Sequence, residues 1–132
     1  MKKIFIYFLF FLSLIFLTST SMLFAQISLK DAEKRATKSL RAVSSCYLSL
    51  SSVDRQYVTG DSLSAAQNFY NDAINDLNMS KSGDRGNKNY YENMAINNFL
   101  LSESASEMAL RVAKQQARIA RNSGRKVGAS CL

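Results

Sequence analysis

NYYENMAINNFLLSESASEMALRVAKQQARIARN, Asn89 to Asn122, runs without a glycine or a proline. Its apolar residues Tyr91, Met94, Leu101, Ala105, Met108, Val112 and Ile119 recur at helical spacing, with Asn98 as one polar interruption. That period predicts a long α-helix with this stripe toward a core. A second line, Ser102, Ser106, Ala109, Ala113, Ala117 and Ala120, occupies the adjoining face. Small residues admit a neighbouring backbone closely. One account has this helix packed against two others of its own chain; the sharper one makes the small-residue line a docking face for a partner.

Working outward, two more helices precede it. Ser28-Leu29-Lys30-Asp31 has the form of a capping box, and from Leu29 the apolar steps through Ala32, Ala36, Leu40, Val43, Tyr47, Leu50, Val53 and Tyr57 average close to 3.5 residues. About thirty residues in one helix make a rod of roughly 45 Å. Gly60-Asp61 ends it. A second helix is expected from Ser62 to Met79, with Leu63, Ala66, Tyr70, Ala73, Ile74 and Leu77 on one face and a row of asparagines, Asn68, Asn71, Asn75 and Asn78, on another. That row reads as a polar face before it reads as a sugar-binding ladder. Ser80 to Lys88, SKSGDRGNK, is a loop signal. The expected fold is all-α, an antiparallel three-helix up-down-up bundle with a shorter middle helix over residues 26–122, followed by a flexible tail at 123–132.

Before the bundle stands MKKIFIYFLFFLSLIFLTSTSMLFAQ, a lysine pair, an apolar run and a small residue at Ala25. This is the layout of a secretory signal peptide over residues 1–25. The alternative, an uncleaved inner-membrane anchor, fits less well, because the run is shorter than the ~20 residues that span a bilayer. The expected destination is the bacterial periplasm or the outside. Cleavage leaves one domain and, with Lys2 and Lys3 gone, 15 basic against 10 acidic residues.

The chain has no histidine, tryptophan or proline. Missing histidine removes the usual general base at neutral pH and the commonest metal ligand. Carboxylate pairs at helical spacing, Asp72 with Asp76 and Glu103 with Glu107, lack a convergent third group. Neither an enzyme nor a cofactor or metal is expected. Two cysteines in an exported chain, Cys46 and Cys131, are candidates for a disulfide, which a tail folded back along the first helix would close. The rival is a free Cys46 with Cys131 open to intermolecular pairing.

Charge is uneven along the chain. Met108 to Lys126 holds six bases and no acid, whereas Asp61 to Glu107 holds seven acids against three bases. Arg111, Lys114, Arg118, Arg121 and Arg125 are spaced to line one helix face, a candidate contact for anionic lipid or envelope polymer. The plainer reading is a solvated helix end whose charges complement the dipole. Nucleic acid is not an expected partner: no aromatic residue interleaves with these arginines for stacking.

FYNDAINDLNMS (Phe69 to Ser80) and YYENMAINNFLLS (Tyr90 to Ser102) are loosely alike. With Tyr70, Ala73, Leu77, Tyr91, Ala95, Ala105, Ala109 and Ala113, the span from Leu63 to Ala117 resembles a tetratricopeptide-like helical-hairpin domain of unknown function found in bacterial envelope proteins. The resemblance implies an interaction module without catalytic residues. The chain therefore reads as a small exported helical protein that works by binding an envelope protein or a second copy of itself, or else an anionic envelope surface.

Overall fold

A computed structural model describes residues 27–58, 60–82 and 87–132. The signal peptide expected over residues 1–25 lies outside the described residues. The regular elements of the described residues are all helical, in four helices, α1 (Leu29–Ser49), α2 (Ser52–Arg55), α3 (Gly60–Ser82) and α4 (Lys88–Asn122), with a closing 3₁₀ turn at Ala129–Cys131. At 35 residues, α4 is about 52 Å long.

The N-terminus of α1 is capped as its sequence implies. Ser28 Oγ accepts from the Asp31 amide at 3.2 Å and donates to Asp31 Oδ2 at 2.7 Å. The single long first helix, however, is broken. Leu50 takes an extended backbone, and Ser51 starts α2 with the same box, accepting from the Asp54 amide at 3.1 Å. With α1 thus cut to 21 residues and α3 grown to 23, the middle helix is not the shorter one.

Named contacts fix how the helices lie. Arg35 pairs with Glu103 through two 3.0 Å contacts, and farther on Cys46 packs with Ala113 and Ala117, so α1 and α4 run the same way. Ser102 Oγ donates to the Ala66 carbonyl at 2.7 Å, while Asn98 donates to Asp76 at 2.8 Å, so α3 runs against α4. That bond accounts for the polar interruption at Asn98. Between α1 and α3 the Thr37 and Tyr70 hydroxyls meet at 3.0 Å.

Two buried clusters are strung along α4. Ala32, Ala36, Ala73, Ala95 and Phe99 form one, with Tyr70 edge-on to Phe99 at 5.4 Å. Cys46, Leu50, Val58, Ala113, Ala117 and Cys131 form the other. The first is built mainly from alanines, so each position removes little apolar area and the gain comes from close helix approach; the second sets Ala113 and Ala117 of α4 against Leu50, Val58 and the two cysteines. Large side chains sit outside instead. The Tyr91-to-Ile119 stripe expected in the core is its margin and outer face: Leu101, Met108 and Ile119 are 47%, 59% and 48% exposed.

The segment 123–132, expected as a flexible tail, is tied down. Gly124, at φ 73°, ends α4: its amide bonds to the Arg121 carbonyl at 2.9 Å and the Arg125 amide reaches back to Ala120 at 2.9 Å. This pair of bonds is a Schellman motif, and it reverses the chain. Gly128 then crosses Ser49 so closely that a Cβ there would stand 2.7 Å from the Ser49 Cβ, and its amide donates to the Ser49 carbonyl. The Cys46–Cys131 disulfide closes the crossing, with Cα atoms 4.5 Å apart.

Candidate interaction surface

At the end of α1 the chain gathers its polar groups around one carboxylate. Asp54 is fully buried. Its Oδ2 accepts from Ser51 Oγ at 2.6 Å and Arg125 Nε at 3.2 Å; its Oδ1 accepts from Arg125 Nη2 at 2.7 Å and Gln116 Nε2 at 3.1 Å. The Ser51 hydroxyl, then the Arg125 guanidinium, hold the carboxyl below its ordinary value against the opposing effect of burial, with Gln116 adding to the shift. A carboxylate so bound stays ionised at neutral pH and has its acceptor sites filled. It fastens α2 and the returning tail to α4. Beside it, Arg55 donates to the Tyr47, Leu48 and Leu50 carbonyls at 3.1, 2.7 and 3.0 Å, satisfying acceptors at the end of α1. Ser51-x-x-Asp54 is a local box, but Gln116, Arg125 and Arg55 carry no local signal of these roles, because their partners lie far apart in sequence or belong to the backbone.

The candidate contacts read from sequence separate into three groups. Cys46 and Cys131 stand at disulfide distance, their Cα atoms 4.5 Å apart, rather than with Cys131 turned out toward another chain. Ser102, Ser106, Ala109, Ala113, Ala117 and Ala120 are all buried between α4 and its own neighbours. They are the intramolecular core, not a docking face, because the close packing that small residues allow is used within the chain. Of the basic series, Arg111, Arg118 and Arg121 are exposed and Lys114 is half-buried. Arg125 leaves the series: α4 ends at Asn122, and the reversal at Gly124 turns Arg125 inward to Asp54. The carboxylate pairs do not converge either. Asp76 is engaged by Asn98 and Glu103 by Arg35, while Asp72 and Glu107 are exposed. Asn68, Asn71, Asn75 and Asn78 are exposed on α3. One open groove beside α1 is lined by Lys30, Glu33, Lys34, Thr37, Lys38 and Arg41.

Exposed apolar side chains stand at Leu48, Val53 and Tyr57 around α2, at Met79 and Tyr90, and in one regular run along the outer face of α4. Leu101, Ala105, Met108, Val112, Gln115 and Ile119 follow one another at steps of 4, 3, 4, 3 and 4, and all are exposed or half-exposed. On one side of this stripe lie Ser102, Ala109 and Gln116, which are core; on the other lie Arg111 and Arg118, with Lys114 and Arg121 beyond. No acid follows Glu107 to the end of the chain. This face combines an apolar ridge with exposed Arg111 and Arg118 along its border, where Glu107 is the one acid.

Comparison with family models, curated proteins and solved structures yields no match. No described helix is long and apolar enough to cross a membrane.

Proposed function

We propose that this chain is a small exported envelope protein that works as a non-catalytic helical interaction module, with the outer face of α4 as its working surface. The observation that carries the reading is the exposure of Leu101, Met108, Val112 and Ile119 along one helix whose opposite side is fully used by its own fold. Monomeric proteins seldom leave so continuous an apolar ridge without a use. The Cys46–Cys131 disulfide is in keeping with an oxidising compartment, and the N-terminal pattern of residues 1–25 with export to it. The α3–α4 hairpin is the part of an up-down-up three-helix bundle that the tetratricopeptide-like resemblance would cover.

Capture of the tagged protein from crosslinked cells tests the proposal. A defined protein partner retained in high salt from the wild type, and lost from Met108→Glu/Val112→Glu, is the expected result. Retention of the same partner by the variant would place the working surface elsewhere. A second reading, peripheral contact with an anionic membrane or polymer, is favoured by the clustering of Arg111, Lys114, Arg118 and Arg121. Screening weakens contacts between exposed charges, so recovery that vanishes in high salt would support it.

A further inference from the structure

The exposed stripe of α4 has the spacing of a coiled-coil seam. Leu101, Met108 and Gln115 occupy one heptad position, and Ala105, Val112 and Ile119 the other. A period of 3.5 keeps a seam aligned with a second helix over several turns. A lipid surface makes no such demand, and it gains little from Ala105 or from an exposed Gln115 in the middle of the ridge. In a helical pair, one polar seam residue instead fixes register.

The borders of the seam decide the partner's charge. On one side the flanking positions, Ser102, Ala109 and Gln116, are consumed by the core, so they cannot reach a partner. On the other, Arg111 stands three residues after Met108, and Arg118 three after Gln115, both exposed and both neighbours of the seam on the helix surface. A helix laid along the seam must meet these two cations. Glu107, one turn before Arg111, is the last acid of the chain. A second copy is a poor occupant. Antiparallel self-pairing that sets Leu101 opposite Ile119 and Met108 opposite Val112 brings Arg111 against its own symmetry mate.

From this geometry we infer that the α4 seam receives an amphipathic helix of another protein, apolar in its own seam and acidic along the flank that faces Arg111 and Arg118. The inference rests on the reading of α4's outer face as the working surface and specifies the chemistry of what binds it.

The test uses the full chain with its disulfide intact and three probes. One is a three-heptad helical peptide with leucine and isoleucine in its seam and glutamate at the flanking positions. The second carries lysine in place of those glutamates, and the third is a vesicle of phosphatidylglycerol in phosphatidylcholine. The wild type is expected to bind the glutamate peptide roughly tenfold more tightly than the lysine peptide, since the two partly exposed ion pairs, with Arg111 and Arg118, each contribute up to about 1 kcal/mol. Arg111→Glu/Arg118→Glu alters only exposed side chains and should invert the preference. Equal affinity for the two peptides, or affinity for neither, overturns the inference. So does vesicle binding that the double variant abolishes in the absence of any peptide preference. A wild-type dimer in sedimentation that Val112→Glu dissociates overturns it in favour of a second copy. If the peptide preference fails while capture from cells still depends on Met108 and Val112, the acidic partner falls and the surface stands. If both fail, the surface falls too.

Discussion

At the scale of single residues, two serines on neighbouring turns of α4 make opposite predictions. Ser102 Oγ donates to the Ala66 carbonyl across the α3–α4 contact, whereas the buried Ser106 Oγ has no partner. A buried hydroxyl without a hydrogen bond costs on the order of 1–3 kcal/mol, and alanine is the better helix former. Ser106→Ala should therefore raise the urea midpoint by the equivalent of about 1 kcal/mol, and Ser102→Ala should lower it by a similar amount. Equal effects of the two in chemical denaturation would contradict this assignment. Asp54 is the other decisive residue. Its carboxyl titrates below the ordinary value in the folded chain, so its contribution to stability is complete above the unfolded-state pKa. That contribution disappears as pH falls through the lowered folded-state value. Asp54→Asn should lower stability at pH 7 by more than Ser102→Ala does, and the gap from wild type should narrow steadily below about pH 4. A gap independent of pH from 7 to 2 would mean that the charge is not what fastens the tail. The Asp54–Arg125 pair was not legible in the sequence, because the two are separated by 71 positions and neither belongs to a motif that names the other.

At the scale of elements, the legible and illegible parts divide along a physical line. Local signals read correctly. The Ser28 box starts α1, and the absence of breakers from Asn89 on yields an uninterrupted α4; the SKSGDRGNK stretch expected as a loop is narrower, since α3 runs on to Ser82 and α4 begins at Lys88. The break in α1 was also written locally: Ser51-x-x-Asp54 repeats the Ser28-x-x-Asp31 pattern, but the apolar period through Leu50 and Val53 masked it. The orientation of α4 was not legible, because a helix that two neighbours approach closely buries its small residues and leaves the bulky ones outside. Periodicity locates a stripe but does not say which of two adjacent stripes is inside. The returning tail adds two predictions at this scale. Gly128→Ala would set its Cβ against Ser49, and should destabilise by about 1–3 kcal/mol, as overpacking does. Cys46→Ala/Cys131→Ala opens a loop spanning 85 residues and should cost about 2–5 kcal/mol in denaturant titration. A double variant as stable as the wild type would show that the Asp54 network alone holds the tail.

At the scale of the molecule, the fold concentrates its fastenings at one end and carries a regular run of exposed apolar side chains along α4. The disulfide, the Arg125–Asp54 pair and the Gly128 crossing all meet where α1 ends. They tie α1, α2 and the returning tail to the C-terminal half of α4, which carries Met108, Val112, Ile119 and the arginines. A stiff, pre-formed helix face loses little conformational entropy on binding. The most direct test places a photo-crosslinking side chain at Val112 in cells, with the same group at the exposed Ser45 on α1 as the comparison. The account predicts a discrete protein adduct from Val112 that is absent from Ser45. Adducts from Ser45 alone, or the same adducts from both positions, would contradict the claim that the outer face of α4 is where this protein meets its partner.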